Sequence, residues 1–290
     1  MQYIDSVQRR TYTACTSARG IFSAVLHTMS LFAIKLVLTP TLLALATLAA
    51  RRWGPLAAGW IVGLPLTSGP VSLFLAIEQG RAFAATSAIA TLLGTIAVLA
   101  YCVTYSRASR RFSWLPSMLL GHLGFFAMAA VLSRNTFSLW PATAVTIPFI
   151  VVALYVEGDV DRKKTPIPAP WWDIPFRMAA ATSIVLLITS LSSHLGPRWS
   201  GLLSAFPLFI TVMSTFSHRL SGAANAQLFL HGIILGSFAY VAFFFTAVTA
   251  LPYLPVVLVY LLAVCAAGAV NLAFLTLLRI RATGKPLRRR

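Results

Sequence analysis

The segment Gly63-Leu64-Pro65-Leu66-Thr67-Ser68-Gly69-Pro70 places two prolines in the middle of an apolar run. Each proline removes a backbone donor and obstructs the carbonyl one turn earlier. A helix broken there bares amides and carbonyls at bilayer depth, which is tolerable only against protein or a wet cavity. Thr67 and Ser68 are placed to satisfy those groups or to meet a polar substrate. A second segment carries Pro207 with Ser204, Thr211, Ser214 and Thr215. The plainer reading of both is a proline kink with small residues that let helices approach closely.

Ionisable residues in apolar runs form the next set. Lys35 and Arg177 each lie near the start of such a run. Their stems either snorkel to the headgroups or the two cations cap an anion pathway from opposite faces. His122 is mid-run and His231 lies a third of the way along its run; imidazole relays protons near neutral pH, or it simply bonds to a neighbouring helix. Asn271 is a packing contact or a polar lining. Glu78 reads as the only carboxylate near a helix, facing water beside Arg81 or gripping a cation.

Several chemistries lack their residues. No carboxylate lies deep in a run, which weakens the case for an acidic proton-coupled exporter. There is no GxxxxGK[ST] loop for nucleotide, and no HExxH, GxSxG or paired-Asp motif for an enzyme. Cys15, Cys102 and Cys265 are scattered, with no metal-ligand spacing. The expectation is a non-enzyme without cofactor or metal.

The elements that must position these residues follow from composition. Of 290 residues, 58% are hydrophobic and 10% charged, against about 25% charged in a soluble domain. Surface grows too slowly with size for one water-facing globule to hide so much apolar material, so lipid is the solvent and the fold class is an all-α transmembrane bundle. Apolar runs at 31–50, 55–77, 82–105, 113–133, 138–156, 174–194, 198–216, 223–249 and 254–279 predict nine spans; the last is either one tilted helix or a helix plus a re-entrant piece. The 23 Lys and Arg against 6 Asp and Glu argue for topology rather than nucleic acid, because they cluster between runs. With the N-terminus periplasmic and the C-terminus cytoplasmic, the inside loops take Arg51-Arg52, Arg107, Arg110, Arg111, Arg162, Lys163, Lys164, Arg219 and the tail. Residues 1–28 read as a loose tail, or translation begins at Met29; residues 281–290 form a basic tail that meets anionic lipid.

The chain also repeats itself. Lys35, Gly54, Pro55, Gly59, Pro65, Leu66, Ser72 and Gly94 recur 142 positions later as Arg177, Gly196, Pro197, Gly201, Pro207, Leu208, Ser214 and Gly236. Two four-helix units result, 29–134 and 174–280, joined through a linker helix and cytoplasmic loop at 135–173. One extra crossing between four-span units turns the second upside down, a 4+1+4 inverted arrangement of the kind secondary transporters use. Each unit resembles the small four-helix GlpM-like bacterial inner-membrane proteins, through Gly201-Leu202-Leu203-Ser204-Ala205-Phe206-Pro207 and the stretch from Leu228 to Phe245, more faintly through Gly59 to Pro65. That resemblance implies a bacterial inner-membrane protein and supplies no catalytic residues. The functional expectation is a small-molecule permease or flippase-like transporter, its substrate unknown, with a polar site between 63–70 and 204–215 lined by His122, His231 and Asn271. The alternative is a non-transporting scaffold for an envelope or polysaccharide machine. Either is compatible with a homodimer or a larger membrane complex.

Overall fold

A computed structural model describes residues 41, 43–65, 68–134, 137–158, 160, 170–183 and 206–283. Every regular element among them is helical, as apolar runs must be when no water is present to pair their backbone groups. We number the helices α1 (43–53), α2 (Pro55–Val62), α3 (Ser68–Glu78), α4 (Arg81–Ala108), α5 (Trp114–Leu132), α6 (Leu139–Glu157), α7 (173–183), α8 (Leu208–Ser221), α9 (Ala223–Ala250) and α10 (Val256–Thr283). Five of them, α4, α5, α6, α9 and the stretch Val256–Phe274 of α10, are long and apolar enough to cross a membrane.

The run 55–77 divides into α2 and α3, because Gly63, Leu64 and Pro65 leave the helix. The run 254–279 is one continuous helix, so no re-entrant piece is needed. The runs 31–50, 174–194 and 198–216 lie partly outside the described residues.

The 142-residue offset reappears in the helix bounds. Arg81–Ala108 and Ala223–Ala250 are both 28 residues long, and α5 and α10 start at 114 and 256. Each 28-residue helix is entered through a glycine, Gly80 or Gly222, with φ 87°. An L side chain strongly resists that conformation, so glycine is what permits the sharp reversal from α3 into α4 and from α8 into α9.

Packing interlocks the two halves. The hairpins α4–α5 and α9–α10 each hold a short helix from the other half of the chain: α8 lies against α4 and α5, while α2 and α3 lie against α9, with α3 also touching α10. Helices α4 and α9 pack on each other. They run antiparallel, because Gln227 at the start of α9 donates to Ser109 just past the end of α4 (2.9 Å). Helix α6 covers both. The core between them is aromatic and aliphatic, with Leu92, Leu99, Tyr101, Tyr105, Phe125, Phe229, Ile233 and Phe244 fully buried.

The closest approach is backbone on backbone. Gly59 of α2 and Gly63 just past its end face Gly232 and Gly236 of α9. A Cβ at Gly59 would sit 1.8 Å from the Phe229 carbonyl oxygen, and one at Gly232 would sit 2.2 Å from the Leu56 carbonyl oxygen. Gly59 and Gly63, like Gly232 and Gly236, stand at Gly-x-x-x-Gly spacing, which lets membrane helices touch along a bare stripe.

Trp53, Trp140 and Trp171 are all largely exposed close to helix ends, where an amphipathic ring meets the membrane interface. Arg51, Arg107, Arg110 and Arg219 gather towards one end of the bundle: Arg107 and Arg110 donate to the last carbonyls of α6, Arg219 lies over Trp114, and Arg51 meets Asp173.

Candidate functional site

Three arrangements concentrate the polar chemistry, and a fourth supplies open space. The first lies where α8 enters between α4 and α5. Pro207 precedes the helix, and its carbonyl accepts both the amide and the hydroxyl of Thr211 (2.8 Å each). Thr211 Oγ1 also lies 3.2 Å from His122 Nε2, while His122 Nδ1 is 2.9 Å from the Met118 carbonyl. A carbonyl only accepts, so Nδ1 carries a proton; the Thr211 proton then serves either Pro207 or the imidazole, not both. His122 stacks on Phe206 with centroids 4.9 Å apart and meets Tyr101 edge-on. Tyr101 and Tyr105 reach Ser214 and His218 at 3.3 Å each. His122, Pro207 and Thr211 are therefore brought together as expected residues, joined by two tyrosines that the sequence did not single out.

The second arrangement holds His231. Its Nδ1 lies 2.7 Å from Glu157 Oε2, with the carboxylate side chain fully buried and the imidazole 17% exposed. Among the described residues, Glu157 Oε1 has no partner. This corrects the expectation that Glu78 is the only carboxylate near a helix: Glu157 closes α6 and is buried, because the α4–α9 seam beneath α6 encloses its last turn.

The third arrangement contains Arg177. Its Nε donates to Asp173 Oδ1 at 2.6 Å, and Arg51 Nη2 donates to Asp173 Oδ2 at 2.9 Å. The Arg177 and Asp173 side chains are 4% and 1% exposed, and the guanidinium lies 5.0 Å over the Phe216 ring. Arg177 is thus a buried, paired cation rather than one reaching for headgroups. A small void of about 20 Å³ beside the triad, bounded by Thr47 and Ser217 among others, has room for about one water molecule.

The open space is a cleft of about 390 Å³ between α1, α2 and α8. Leu64, beside the Pro65 break, and Phe209, beside Pro207, both line it, with Leu45, Leu48, Ile61 and Trp53; Arg52 is the one charged residue on its wall. The described wall residues are mostly apolar, and the described hydroxyls nearby turn elsewhere: Ser72 bonds Tyr260 (2.7 Å), Ser214 bonds Tyr101, Thr211 bonds His122, and Ser68 is within hydrogen-bonding reach of Tyr240.

Of the remaining expected residues, Asn271 is half-buried on α10, a helix packed on α9 and α3 rather than on α8. Glu78 ends α3, and its side chain is outside the description. Lys35, Thr67 and Ser204 lie outside the described residues. Among the described residues, no group of three or more metal-binding side chains assembles.

Five apolar helices long enough to cross a membrane, packed on one another, with exposed tryptophans close to helix ends, decide the class. The chain is a multi-pass helical membrane protein. Comparison with family models, with curated proteins and with solved structures finds no match. Its chemistry therefore rests on the geometry just described.

Proposed function

We propose that this membrane protein is a flippase-like transporter of amphiphilic small molecules, working by alternating access between two inverted four-helix units in a nine-span, 4+1+4 arrangement. The observation that carries the reading is the apolar cleft that runs from the α2–α3 break to the start of α8, with Leu64 and Phe209 on its wall. Broken helices at bilayer depth are where transporters place their sites. A cleft with aliphatic walls, and with Arg52 and Trp53 at its basic end, suits a ligand with an apolar body and an anionic head better than a hydrophilic solute. Antiparallel packing of α4 on α9, at matched positions in the repeat, supports the inversion. The positive-inside tendency puts the basic end in the cytoplasm of a bacterial inner membrane, with the N-terminus outside.

The test is lipid translocation in proteoliposomes carrying a fluorescent phospholipid in one leaflet, read by chemical quenching. Wild type is expected to exceed empty liposomes, and Leu64→Trp, which fills the cleft, should cut the rate severalfold with melting unchanged. Equal rates in wild type and empty liposomes would remove the transporter reading for such lipids. The scaffold reading draws on the glycine-on-glycine crossing of α2 and α9, a contact with no slack for rocking, and it would gain from that negative result.

A further inference from the structure

Glu157 and His231 stand apart from the cleft, yet their burial needs a reason. A fully enclosed carboxylate is costly unless it is paired and its lone pairs are satisfied. Here Oε2 has one partner, the imidazole, and Oε1 has none. The charges facing the pair from the packed elements are few. On α4 they are Arg107 and Arg110, whose guanidinium groups donate to the carbonyls of Val156 and Glu157 rather than to the carboxylate. Cys102 of α4 lies within electrostatic reach of the carboxylate, and one turn on, Ser106 presents a buried hydroxyl oxygen with no partner. On α9 there is His231 itself. Among the described residues, one carboxylate oxygen is paired and the other is left without a partner.

We propose that Glu157 and His231 form a proton-binding site entered from the His231 side. The asymmetry of exposure gives the route: the imidazole is 17% exposed and the carboxylate 0%. With Nδ1 protonated and donating to Oε2, an incoming proton bonds to Nε2. The Nδ1–H bond breaks as a new O–H bond forms on Oε2, so the histidine ends neutral with its proton on Nε2 and the glutamate ends as a neutral acid. The bond count and charge balance, and the buried anion is gone. The site has leverage, because Glu157 belongs to α6, which packs on both α4 and α9, so neutralising it changes how α6 is held across the seam between the two units. Proton coupling is a deepening of the transporter reading and rests on it; proton binding does not.

The experiment is infrared difference spectroscopy of the full-length protein in lipid, titrated through the neutral range without any substrate. Wild type is expected to gain the carbonyl-stretch band of a buried carboxylic acid as pH falls, together with an imidazole change. In Glu157→Gln that band should be lost. If this variant does not fold, His231→Gln carries the test, and there the titration of the band should shift. A band that titrates identically in Glu157→Gln, one that is unmoved in His231→Gln, or one that responds to sodium and not to pH overturns the site. A pH gradient across the proteoliposomes then separates the two claims: a titrating band with translocation that ignores the gradient supports proton binding and removes proton coupling, while translocation no faster than in empty liposomes removes the transporter reading and leaves proton binding standing.

Discussion

Asp173 stands between Arg177 and Arg51, and the triad keeps one more positive charge than negative in a setting where Asp173 and Arg177 are sealed from solvent. Removing the carboxylate leaves two cations facing each other, one of them buried, so Asp173→Asn should lower stability by about 3–5 kcal/mol, the range for breaking one side of a buried pair. Replacing both sealed partners by apolar residues, as in Asp173→Leu with Arg177→Met, should recover most of that loss, because the stranded charge is removed together with its partner. Unfolding in mixed micelles measures both, and equal losses in single and double variants would show that the triad acts through something other than charge pairing. Arg177 was visible in the sequence as a cation in an apolar run. Its partner was not, because Asp173 lies just ahead of that run beside Trp171 and Trp172, where an acid reads as facing water. Glu157 escaped notice for the same reason, following Val156 at the end of an apolar run. Burial of a terminal residue is decided by the loops and helices that fold over it, and no local spacing records that.

At the scale of elements, the crossing of α2 and α9 sets the tightest constraint. Gly59→Ala would drive a methyl group into the Phe229 carbonyl of a rigid helix, and Gly232→Ala would do the same to Leu56. Neither obstacle is a side-chain end able to swing away, so each substitution should cost about 1–3 kcal/mol, as overpacking does. Gly268→Ala is the control, since nothing stands within 4 Å of its added Cβ and alanine is the better helix former. Melting temperatures in detergent should fall for the first two and hold or rise for the third; a uniform response would mean that α2 does not press on α9 in lipid. The break between α2 and α3 was legible, because Gly63 and Pro65 disrupt a helix by local chemistry. The Gly-x-x-x-Gly pairs were equally present in the sequence, yet their mutual contact spans roughly 170 residues of chain. A small-residue stripe announces a close neighbour without naming it, and local spacing likewise does not record that Ser72 and Ser214 meet tyrosines of distant helices.

At the scale of the whole molecule, the inverted reading makes a demand that single helices do not. Ser113 and Pro255 are 142 residues apart, each immediately ahead of its helix, α5 or α10, and each exposed. If the two units face the same way, these matched positions open on the same side of the membrane. If the second unit is turned over, they open on opposite sides. The positive-inside rule gives the side expected of each: Ser113 follows Arg110 and Arg111 at the cation-rich end, whereas Pro255 follows Leu251 to Leu254, where no charge stands. With the native cysteines replaced, Ser113→Cys should react with a membrane-impermeant maleimide only from the cytoplasm, and Pro255→Cys only from outside. The pair is informative because neither site depends on the other's chemistry, on any substrate or on the cleft. Labelling of both from one face would leave a helical membrane protein with five apolar spans, but it would contradict the antiparallel α4–α9 seam, and the repeat would no longer supply two exchangeable shapes. Alternating access would then lose its physical basis, since two interlocked units can trade inward-facing and outward-facing arrangements only when each is the other's mirror in depth.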